Sequence, residues 1–323
     1  MTPPNPASRR TFLKAAAIAG AAAPHISRMS WAQGSPMQKI QHAAIAAGGK
    51  GNSDIREICS HEKVHLVAAA DVDTRPLDAL KGNFPDTKHF SDWREMLTKL
   101  GDEIDTVSVS TPDHTHGIAA MSAMNLGKHV YCQKPLVQTV LECREMLACA
   151  KRTGVVLQMG TQHASSFYDR ISEKLIQDEV VGKIEEAYVF SHKQWGDAEP
   201  KPDRSDPVPG TLAWYLWLSV AADRPYIGDE YYHRRNWRRR QDFGTGTLGD
   251  MGCHIFSPLY KGLKLKLPTA LRSETAVPDK DNWAFNEKIA WWFPKTPHTT
   301  GDIKITWVSG DRRPPKEWLD KVP

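Results

Sequence analysis

The chain reads IQHAAIAAGGKGNSDI over residues 40–55, where a strand-like run, a glycine-rich turn and a helix-like segment follow one another. The apolar run has the length of a strand and ends at Ala46, and the next helix is predicted over residues 52–60. In a strand–turn–helix unit of this kind, backbone amides at the helix N-terminus can hold a pyrophosphate. The stretch therefore predicts a dinucleotide site, provided that the neighbouring segments form the matching sheet.

The turn contains Gly48, Gly49, Lys50 and Gly51, but Ala46 stands where the GxGxxG pattern has its first glycine. A positive φ at Ala46 would cost on the order of 1 kcal/mol because of its Cβ, whereas a negative φ would only narrow the turn. Gly48, the glycine expected to meet the phosphates, is present. We therefore expect dinucleotide binding that is weakened and not abolished; a tight turn without any ligand is the alternative interpretation.

Strand-like and helix-like segments alternate beyond the turn. Strands are predicted over residues 64–70, 106–110, 129–132 and 155–159, and a helix over residues 118–126. This alternation is typical of a doubly wound α/β domain, in which a parallel sheet has helices on both faces.

Asp71 follows the second predicted strand, 20 residues after Gly51. A carboxylate at this position accepts hydrogen bonds from the adenosine ribose hydroxyls of a dinucleotide. The same carboxylate repels a 2′-phosphate, so NAD is the favoured cofactor, although Arg75 close by would allow NADP.

Residues 1–32 are predicted to form a twin-arginine signal peptide. The motif SRRTFLK at residues 8–14 precedes an alanine-rich apolar stretch, and small residues suited to cleavage follow. The apolar stretch is too short to remain as a membrane anchor. Because twin-arginine signals are read by a bacterial export machinery, the mature protein is expected in the periplasm, folded before export and without a stable membrane anchor.

The charge of the remaining chain argues against a general nucleic-acid role. The signal holds four of the 42 basic residues and none of the 38 acidic ones, so the mature chain is neutral. Five cysteines form no CxxC pair, and His114 and His116 make only a bare HxH. Neither a disulfide scaffold nor a metal site is expected from these patterns.

Two further motifs carry a resemblance to a known family. TPDHTHGIAAMSAMNLGKHVYCQKPL (residues 111–136) and DFGTGTLGDMGCHIF (residues 242–256) resemble the glucose–fructose oxidoreductase, inositol dehydrogenase and MocA family (Gfo/Idh/MocA), in particular its exported bacterial branch. The resemblance implies an NAD(P)-binding Rossmann domain over residues 38–160. It also implies a C-terminal α/β domain over residues 161–323, whose open and mostly antiparallel sheet carries the substrate site and the contact of a homo-oligomer.

The resemblance implies a catalytic role for three residues. Lys134, in Gln133-Lys134-Pro135 where the family has Glu-Lys-Pro, corresponds to the active-site lysine, which can stabilise negative charge on a reacting oxygen. Asp250 and His254 match a D-x-x-x-H pair and would share one helix face. His254 is then the expected proton acceptor, and Asp250 orients the substrate or stabilises the imidazolium. A helix-capping aspartate with a core histidine is the alternative.

Other positions are placed at the two ligands by the same resemblance. At the cofactor these are Thr111, Pro112, His116 and Gln133, and at the substrate Gln162, His163, Trp237 and Arg238. Trp237 and Arg238 belong to the arginine run HRRNWRRRQDF (residues 233–243), which could recognise an anionic sugar or nucleic acid. In a neutral chain, we favour a locally charged face or a subunit contact for this run.

The resemblance thus predicts a periplasmic NAD(P)-dependent oxidoreductase that acts on a hydroxyl of a sugar, glycoside or cyclitol. Two alternatives stay open. One is a glycosidase that uses tightly held NAD to oxidise a glycoside, eliminate the aglycone and reduce the product. The other is a degenerate or truncated member that binds a dinucleotide without catalysis, because Ala46, Ser257 (where the family often has Asp) and a chain that is shorter beyond Val308 than is usual in the family depart from the family pattern.

Overall fold

A computed structural model describes residues 39–320 of the chain. The predicted export signal, residues 1–32, lies outside the described residues. Within the described part, no helix combines the length and the apolar character that a membrane span requires.

Six parallel strands form the first sheet, in the order β3-β2-β1-β4-β5-β6. They are β1 (Ile40–Ile45), β2 (Val64–Ala70), β3 (Lys88–Phe90), β4 (Thr106–Val109), β5 (His129–Gln133) and β6 (Leu157–Gly160). The order reverses between β1 and β4, and in such sheets a ligand binds at the carboxyl ends of the strands at this reversal. The predicted doubly wound sheet is therefore confirmed.

Five helices connect these strands. They are α1 (Lys50–Cys59), α2 (Thr74–Leu80), α3 (Trp93–Leu100), α4 (Asp113–Asn125) and α5 (Val140–Thr153). Sequence patterns predicted only α1 and the second half of α4. The missed helices begin at short polar caps instead: the carboxylates of Asp73 and Asp92 and the hydroxyl of Thr139 accept backbone N–H bonds at the starts of α2, α3 and α5.

Alanines let the connecting helices pack closely on the first sheet. Ala43 and Ala44 of β1 and Ala68 and Ala69 of β2 are fully buried on opposite faces of the sheet. A strand buried on both faces reads as a continuous apolar run, which is why the β1 and β2 bounds were predictable.

The second sheet has four strands in the order β7-β10-β9-β8. They are β7 (Ile184–Ser191), β8 (Ala270–Ser273), β9 (Lys288–Phe293) and β10 (Thr299–Ser309). β10 is parallel to β7 and antiparallel to β9, and β9 is antiparallel to β8. The mostly antiparallel α/β architecture that was expected here is confirmed, although β8, which is short and fully exposed, was not predicted.

Two helices, α6 (Phe167–Gln177) and α8 (Gly246–Gly262), accompany the second sheet. α8 packs on β7 and against α6, and buried Ile303, Ile305 and Trp307 of β10 form the core beneath it. The motif of residues 242–256 therefore lies at the start of a long helix supported by a rigid sheet. The short helix α9 (Lys316–Leu319) follows β10.

Residues 192–245, between β7 and α8, form a covering segment that contains the short helix α7 (Trp214–Leu218). Its own core is aromatic, and it is fastened to the first sheet through backbone bonds from Ala213 N to Val72 O (2.8 Å) and from Thr74 N to Thr211 O (2.9 Å). The segment thereby becomes a wall over the carboxyl ends of the Rossmann strands, an arrangement that no local pattern predicted.

Candidate active site

A cavity of about 940 Å³ lies at the carboxyl ends of β1, β2, β4 and β5, below the covering segment. The glycine turn forms one end of its lining, and Lys134, Gln162, Trp237 and Arg238 also belong to it. Its volume is at the upper end of the range for ligand pockets, on the order of 300–1,000 Å³. Most of the expected cofactor and substrate residues thus face one shared space, with Gly51 and His163 as exceptions.

Ala46 takes the unfavourable conformation of the two considered from the sequence, with φ at 83°. The helix that follows approaches this turn closely. A Cβ on Gly51 would lie 2.3 Å from the carbonyl oxygen of Ala46, so Gly51 allows α1 to start directly against the turn. A Cβ on Gly48 would lie 2.9 Å from Cγ of Pro76, so a larger residue at position 48 would collide with Pro76.

Asp71 organises the glycine turn from beneath. Its carboxylate accepts hydrogen bonds from the backbone N–H groups of Ala47 (2.8 Å), Gly48 (3.2 Å) and Asp73 (3.0 Å). Burial raises the pKa of Asp71 above its ordinary range, and these three bonds oppose that effect. A carboxylate has about four acceptor sites, so Asp71 can still accept from a ribose hydroxyl.

Lys50 is held by a buried acid that sequence reasoning missed. Its ammonium lies 2.5 Å from Asp54, whose carboxylate also accepts from Ser110 (2.7 Å) and from the side-chain amide of Gln133 (2.8 Å). The carbonyl of Gln133 in turn accepts from the Gln162 amide at 3.0 Å. Gln133 therefore links the start of α1 to the far end of the cavity, a role in which its amide serves as both donor and acceptor. The i,i+4 spacing of Lys50 and Asp54 was the available sequence signal.

His116 is buried between two loops of the cavity. Its Nδ1 lies 2.7 Å from the Pro135 carbonyl and its Nε2 lies 2.8 Å from the Thr111 carbonyl. Burial lowers its pKa, although both carbonyls favour the charged ring. His116 thus ties the Thr111–Pro112 turn to the loop that carries Lys134. His114 belongs to a different contact, with its Nε2 3.0 Å from the Trp217 carbonyl.

Lys134 and Asp250 meet across the two sheets. The Lys134 ammonium donates to the Asp250 carboxylate and to the Asp250 main-chain carbonyl, each at 2.7 Å. Nε of Arg238 lies 3.4 Å from the same carboxylate oxygen. Burial raises the pKa of Asp250, but the two cations outweigh this and hold it below its ordinary range, so the carboxylate is ionised. One carboxylate therefore serves two cations.

His254 lies one helical turn after Asp250, and its ring contacts His163 at a centroid distance of 4.8 Å. Its Nδ1 is buried and has no hydrogen-bond partner among the described residues. Burial, reinforced by Lys134 and His163, lowers the pKa of His254 to about 4, so the ring is neutral near pH 7. The Asp250 carboxylate makes its hydrogen bond to Lys134 and none to the imidazole, although its negative charge favours the imidazolium.

The cavity lining includes Lys134, whereas Asp250, His163 and His254 lie outside it. Asp113, which was not singled out from the sequence, does line it. Its carboxylate is buried and accepts from the Thr245 hydroxyl at 2.9 Å, and burial raises its pKa to about 7. Its place directly after Thr-Pro, at the first position of α4, was the signal that could have revealed it.

With this geometry in place, comparison with known proteins becomes informative. Residues 40–161 match the model of the Gfo/Idh/MocA family, described as "Oxidoreductase family, NAD-binding Rossmann fold". These residues are similar to the NAD-binding Rossmann domain of that family. The predicted family resemblance is supported in this part of the chain, and the family is an NAD-binding one.

Three curated bacterial relatives are similar over part of the chain. A 1-carboxy-3-chloro-3,4-dihydroxycyclohexa-1,5-diene dehydrogenase of Comamonas testosteroni is 35% identical over 38% of this chain and 30% of its own length. A levoglucosan dehydrogenase of Pseudarthrobacter phenanthrenivorans is 23% identical over 65% and 42%, respectively. A glycosyl hydrolase family 109 protein of a Shewanella species is 32% identical over 36% and 27%. The chain thus spans less than half the length of these relatives.

Solved structures share the fold well beyond the Rossmann part. GenD2 from gentamicin A biosynthesis, solved with NAD, has a TM-score of 0.63 at 18% identity and covers 87% of this chain and 68% of its own. The WlbA dehydrogenase of Chromobacterium violaceum, solved with NADH and UDP-GlcNAcA, has a TM-score of 0.62 at 16% identity, with 85% and 68% covered. At these identities, the likeness establishes the two-sheet fold and no more.

Proposed function

We propose that this protein is an NAD-dependent oxidoreductase that transfers a hydride between nicotinamide and a hydroxyl of a sugar, glycoside or cyclitol. The observation that carries the proposal is the shared cavity, which runs from the glycine turn at the start of α1 to Lys134 beside Asp250. The similarity to dehydrogenases, among them a levoglucosan dehydrogenase, supports this type of reaction.

The residues present fit a bound dinucleotide. A Cβ on Gly49 would meet no atom within 4 Å, and Gly48, Gly49 and Lys50 line the cavity, so the backbone amides at the start of α1 can hold a diphosphate there. Asp71 lies at the end of β2, in position to accept from the adenosine ribose, and this favours NAD over NADP. Arg75 is paired with Asp73 and is thus engaged by a carboxylate. When bound, NAD supplies the hydride acceptor.

Lys134 is placed to act on the substrate oxygen. An ammonium has three N–H donors, and Asp250 receives two of them, which leaves one for the hydroxyl being oxidised. As the C–H bond breaks and the hydroxyl loses its proton, negative charge on that oxygen is stabilised by the ammonium. Asp250 holds the ammonium in place.

The hydroxyl proton needs an acceptor, and we propose His254 for this role. Its ring is neutral near pH 7 and its Nδ1 has no hydrogen-bond partner within residues 39–320, so it can take a proton. Asp113 is a second carboxyl beside the cavity whose protonation changes near neutral pH. Separate His254→Ala and Asp113→Asn variants distinguish the two. The rate of the wild type falls at low pH as the proton acceptor becomes protonated, and only the variant that lacks this acceptor should lose that dependence.

The test of the proposed function is the change in nicotinamide absorbance when the purified protein is mixed with NAD and a panel of sugars, glycosides and cyclitols. We expect turnover with the wild type and a loss of about 100-fold or more in Lys134→Ala. Lys151→Ala, at an exposed position of α5, is the matched control. Absence of substrate-dependent absorbance change in the wild type contradicts the proposal.

A glycosidase is the second candidate, and the similarity to glycosyl hydrolase family 109 proteins favours it. The same cavity would oxidise a glycoside to a ketone with transfer of hydride to NAD, allow elimination of the aglycone, add water to the double bond that forms, and return the hydride to the ketone, so that NAD is regenerated. Release of nitrophenol from aryl glycosides without net change in the nicotinamide spectrum distinguishes this reaction from the first. Calorimetric binding of NAD with neither activity would instead support a non-catalytic protein.

We further propose export by the twin-arginine machinery to the periplasm, on the strength of the SRRTFLK motif at residues 8–14. Replacing Arg9 and Arg10 by Lys in the full chain should abolish export, measured by fractionation of cells that express it. The family resemblance also supports a homo-oligomer through the second sheet, which light scattering of the purified protein would reveal.

A further inference from the structure

The arginine run of residues 233–243 divides into two groups with different surroundings. Arg240 donates to Asp197 at 2.9 Å and to Asn282, and Arg239 lies 3.9 Å from Asp197. These two arginines fasten the run to the rest of the covering segment and to the loop before β9. Neither arginine belongs to the cavity lining, so they are not available to a ligand there.

Arg234, Arg235 and Arg238 instead line the cavity. The side chains of Arg234 and Arg235 are exposed there, and neither makes a hydrogen bond or an ion pair with the described residues. The run therefore places three guanidinium groups along one wall of the space that holds the candidate active site. This division was invisible in the sequence, where the five arginines look alike.

Arg238 has a defined orientation. Its guanidinium carbon lies 4.2 Å from the ring centroid of Trp237 and 5.4 Å from that of Trp195, while its Nε points to Asp250. A guanidinium that stacks on aromatic rings keeps its N–H donors in its own plane, which suits a bidentate contact with an oxyanion. Its terminal Nη groups have no hydrogen-bond partner among residues 39–320.

The charges at this end of the cavity do not cancel. Asp250 is the single carboxylate that contacts both Lys134 and Arg238, which leaves an excess of one positive charge. His254 is neutral near pH 7, and the nearby Asp113 carries at most a partial charge there. The cofactor diphosphate does not offset this excess, because its place is at the glycine turn, beyond Lys50 and Asp54. Partly buried charges are stable only when paired.

We propose that the substrate carries an anionic group, a carboxylate or a phosphate on the sugar, which binds Arg238, and that Arg234 and Arg235 attract it at the cavity rim. This inference rests on the proposed function of the same site and names its substrate class. The sugar's anion supplies the missing negative charge, and its distance from the reacting hydroxyl selects which hydroxyl meets Lys134.

The experiment compares matched sugars that differ only in the charged group: glucose, glucuronate and glucose 6-phosphate, and galactose with galacturonate. Binding to the NAD-loaded protein is measured by calorimetry, and kcat/KM is measured by nicotinamide absorbance. We expect an acidic sugar to exceed its neutral counterpart by about tenfold or more in both measurements, because a charge-assisted bidentate contact is added. The uronates and the phosphate identify which anion is preferred.

Two variants and one salt series test the assignment. Arg238→Gln should remove the preference for the acidic sugar, whereas Arg239→Gln, in the same run but away from the cavity, should retain it. Added salt should raise KM for the acidic sugar and leave that of the neutral sugar nearly unchanged, which tests the charge effect without any variant. In Arg234→Gln/Arg235→Gln, this salt dependence should become weaker.

Equal binding of acidic and neutral sugars overturns the inference, and so does an Arg238→Gln variant that weakens both equally. If Arg234→Gln/Arg235→Gln binds NAD more weakly but keeps the preference for acidic over neutral sugars, the role given to Arg234 and Arg235 is overturned. Failure of the proposed function gives a different result, namely no turnover of any sugar. Calorimetry still decides the charge preference in that case.

Discussion

Nζ of Lys134 lies 2.7 Å from both the carboxylate and the main-chain carbonyl of Asp250, so the loop after β5 and the middle of α8 are joined by one ammonium group. The two residues are 116 positions apart in the chain. Because one belongs to the Rossmann part and the other to the second sheet's helix, the site exists only when the two parts pack together. Stability and activity are therefore coupled at this contact.

Asp250→Asn should lower kcat by about 100-fold, because Lys134 and Arg238 then lose the one carboxylate that they contact among residues 39–320. It should also lower the free energy of unfolding by about 3 kcal/mol, since two mostly buried cations are left without their partner. Steady-state kinetics and urea unfolding measure the two effects. Asp203→Asn, at an exposed position of the covering segment, is the control. A variant with wild-type kcat would show that the contact is structural only.

Ala46→Gly should raise the free energy of unfolding by about 0.5 kcal/mol, because glycine tolerates the positive φ at this position. Ala47→Gly, at a neighbouring residue outside the left-handed region, should lower it by about 0.5–1 kcal/mol. The strain belongs to the backbone of the folded turn, so we expect it to reduce stability and not NAD affinity. Calorimetric titration with NAD checks this point: a tenfold tighter Kd in Ala46→Gly would mean that the methyl obstructs the diphosphate.

Asp113→Asn should change the pH dependence of stability between pH 4 and 7. Burial raises the pKa of Asp113 from its ordinary 3.8 to about 7, so the folded protein holds a proton that the unfolded chain has lost. The wild type therefore loses up to about 4 kcal/mol through this group as the pH rises across that range. The asparagine keeps an acceptor for Thr245 and does not titrate. Thermal unfolding of both proteins at several pH values should diverge progressively; parallel curves would contradict the raised pKa.

His42→Gln should make the protein less sensitive to acid. His42 is buried between the hydroxyls of Thr106 (2.9 Å) and Ser108 (3.1 Å), and burial lowers its pKa from 6.5 to about 4. Its contribution is fully present above pH 6.5 and is lost as the pH falls toward 4, amounting to about 3 kcal/mol. Glutamine can bond both hydroxyls without titrating.

The measurement is the thermal midpoint of each protein between pH 4 and 7. His61→Gln, at an exposed position after α1, should follow the wild type. If His42→Gln also loses stability in step with the wild type, the acid sensitivity comes from other groups, of which His114 is the first to examine, because burial lowers its pKa to about 4 as well.

Local patterns were sufficient for much of the Rossmann part. β2 was predicted to the residue and β1 to within one, because strands buried on both faces must be continuously apolar. The glycine turn, Asp71 and the D-x-x-x-H spacing of Asp250 and His254 were likewise readable, since they depend on neighbours within a turn or a strand. The position of the covering segment could not be predicted, because the segment has little regular structure and its backbone hydrogen bonds go to Val72 and Thr74 in another part of the chain.

Residue types and short spacings in the chain were thus enough to identify a dinucleotide-binding sheet and to nominate Lys134, Asp250 and His254. Long-range packing settled the rest: Arg238 lines the cavity near Asp250, whereas Arg239 lies outside the cavity and near Asp197. The positive φ of Ala46 was likewise seen only in the structure. The physical reason is that burial and pairing of a charge depend on groups brought together from distant positions. Those groups leave no periodic trace in the chain.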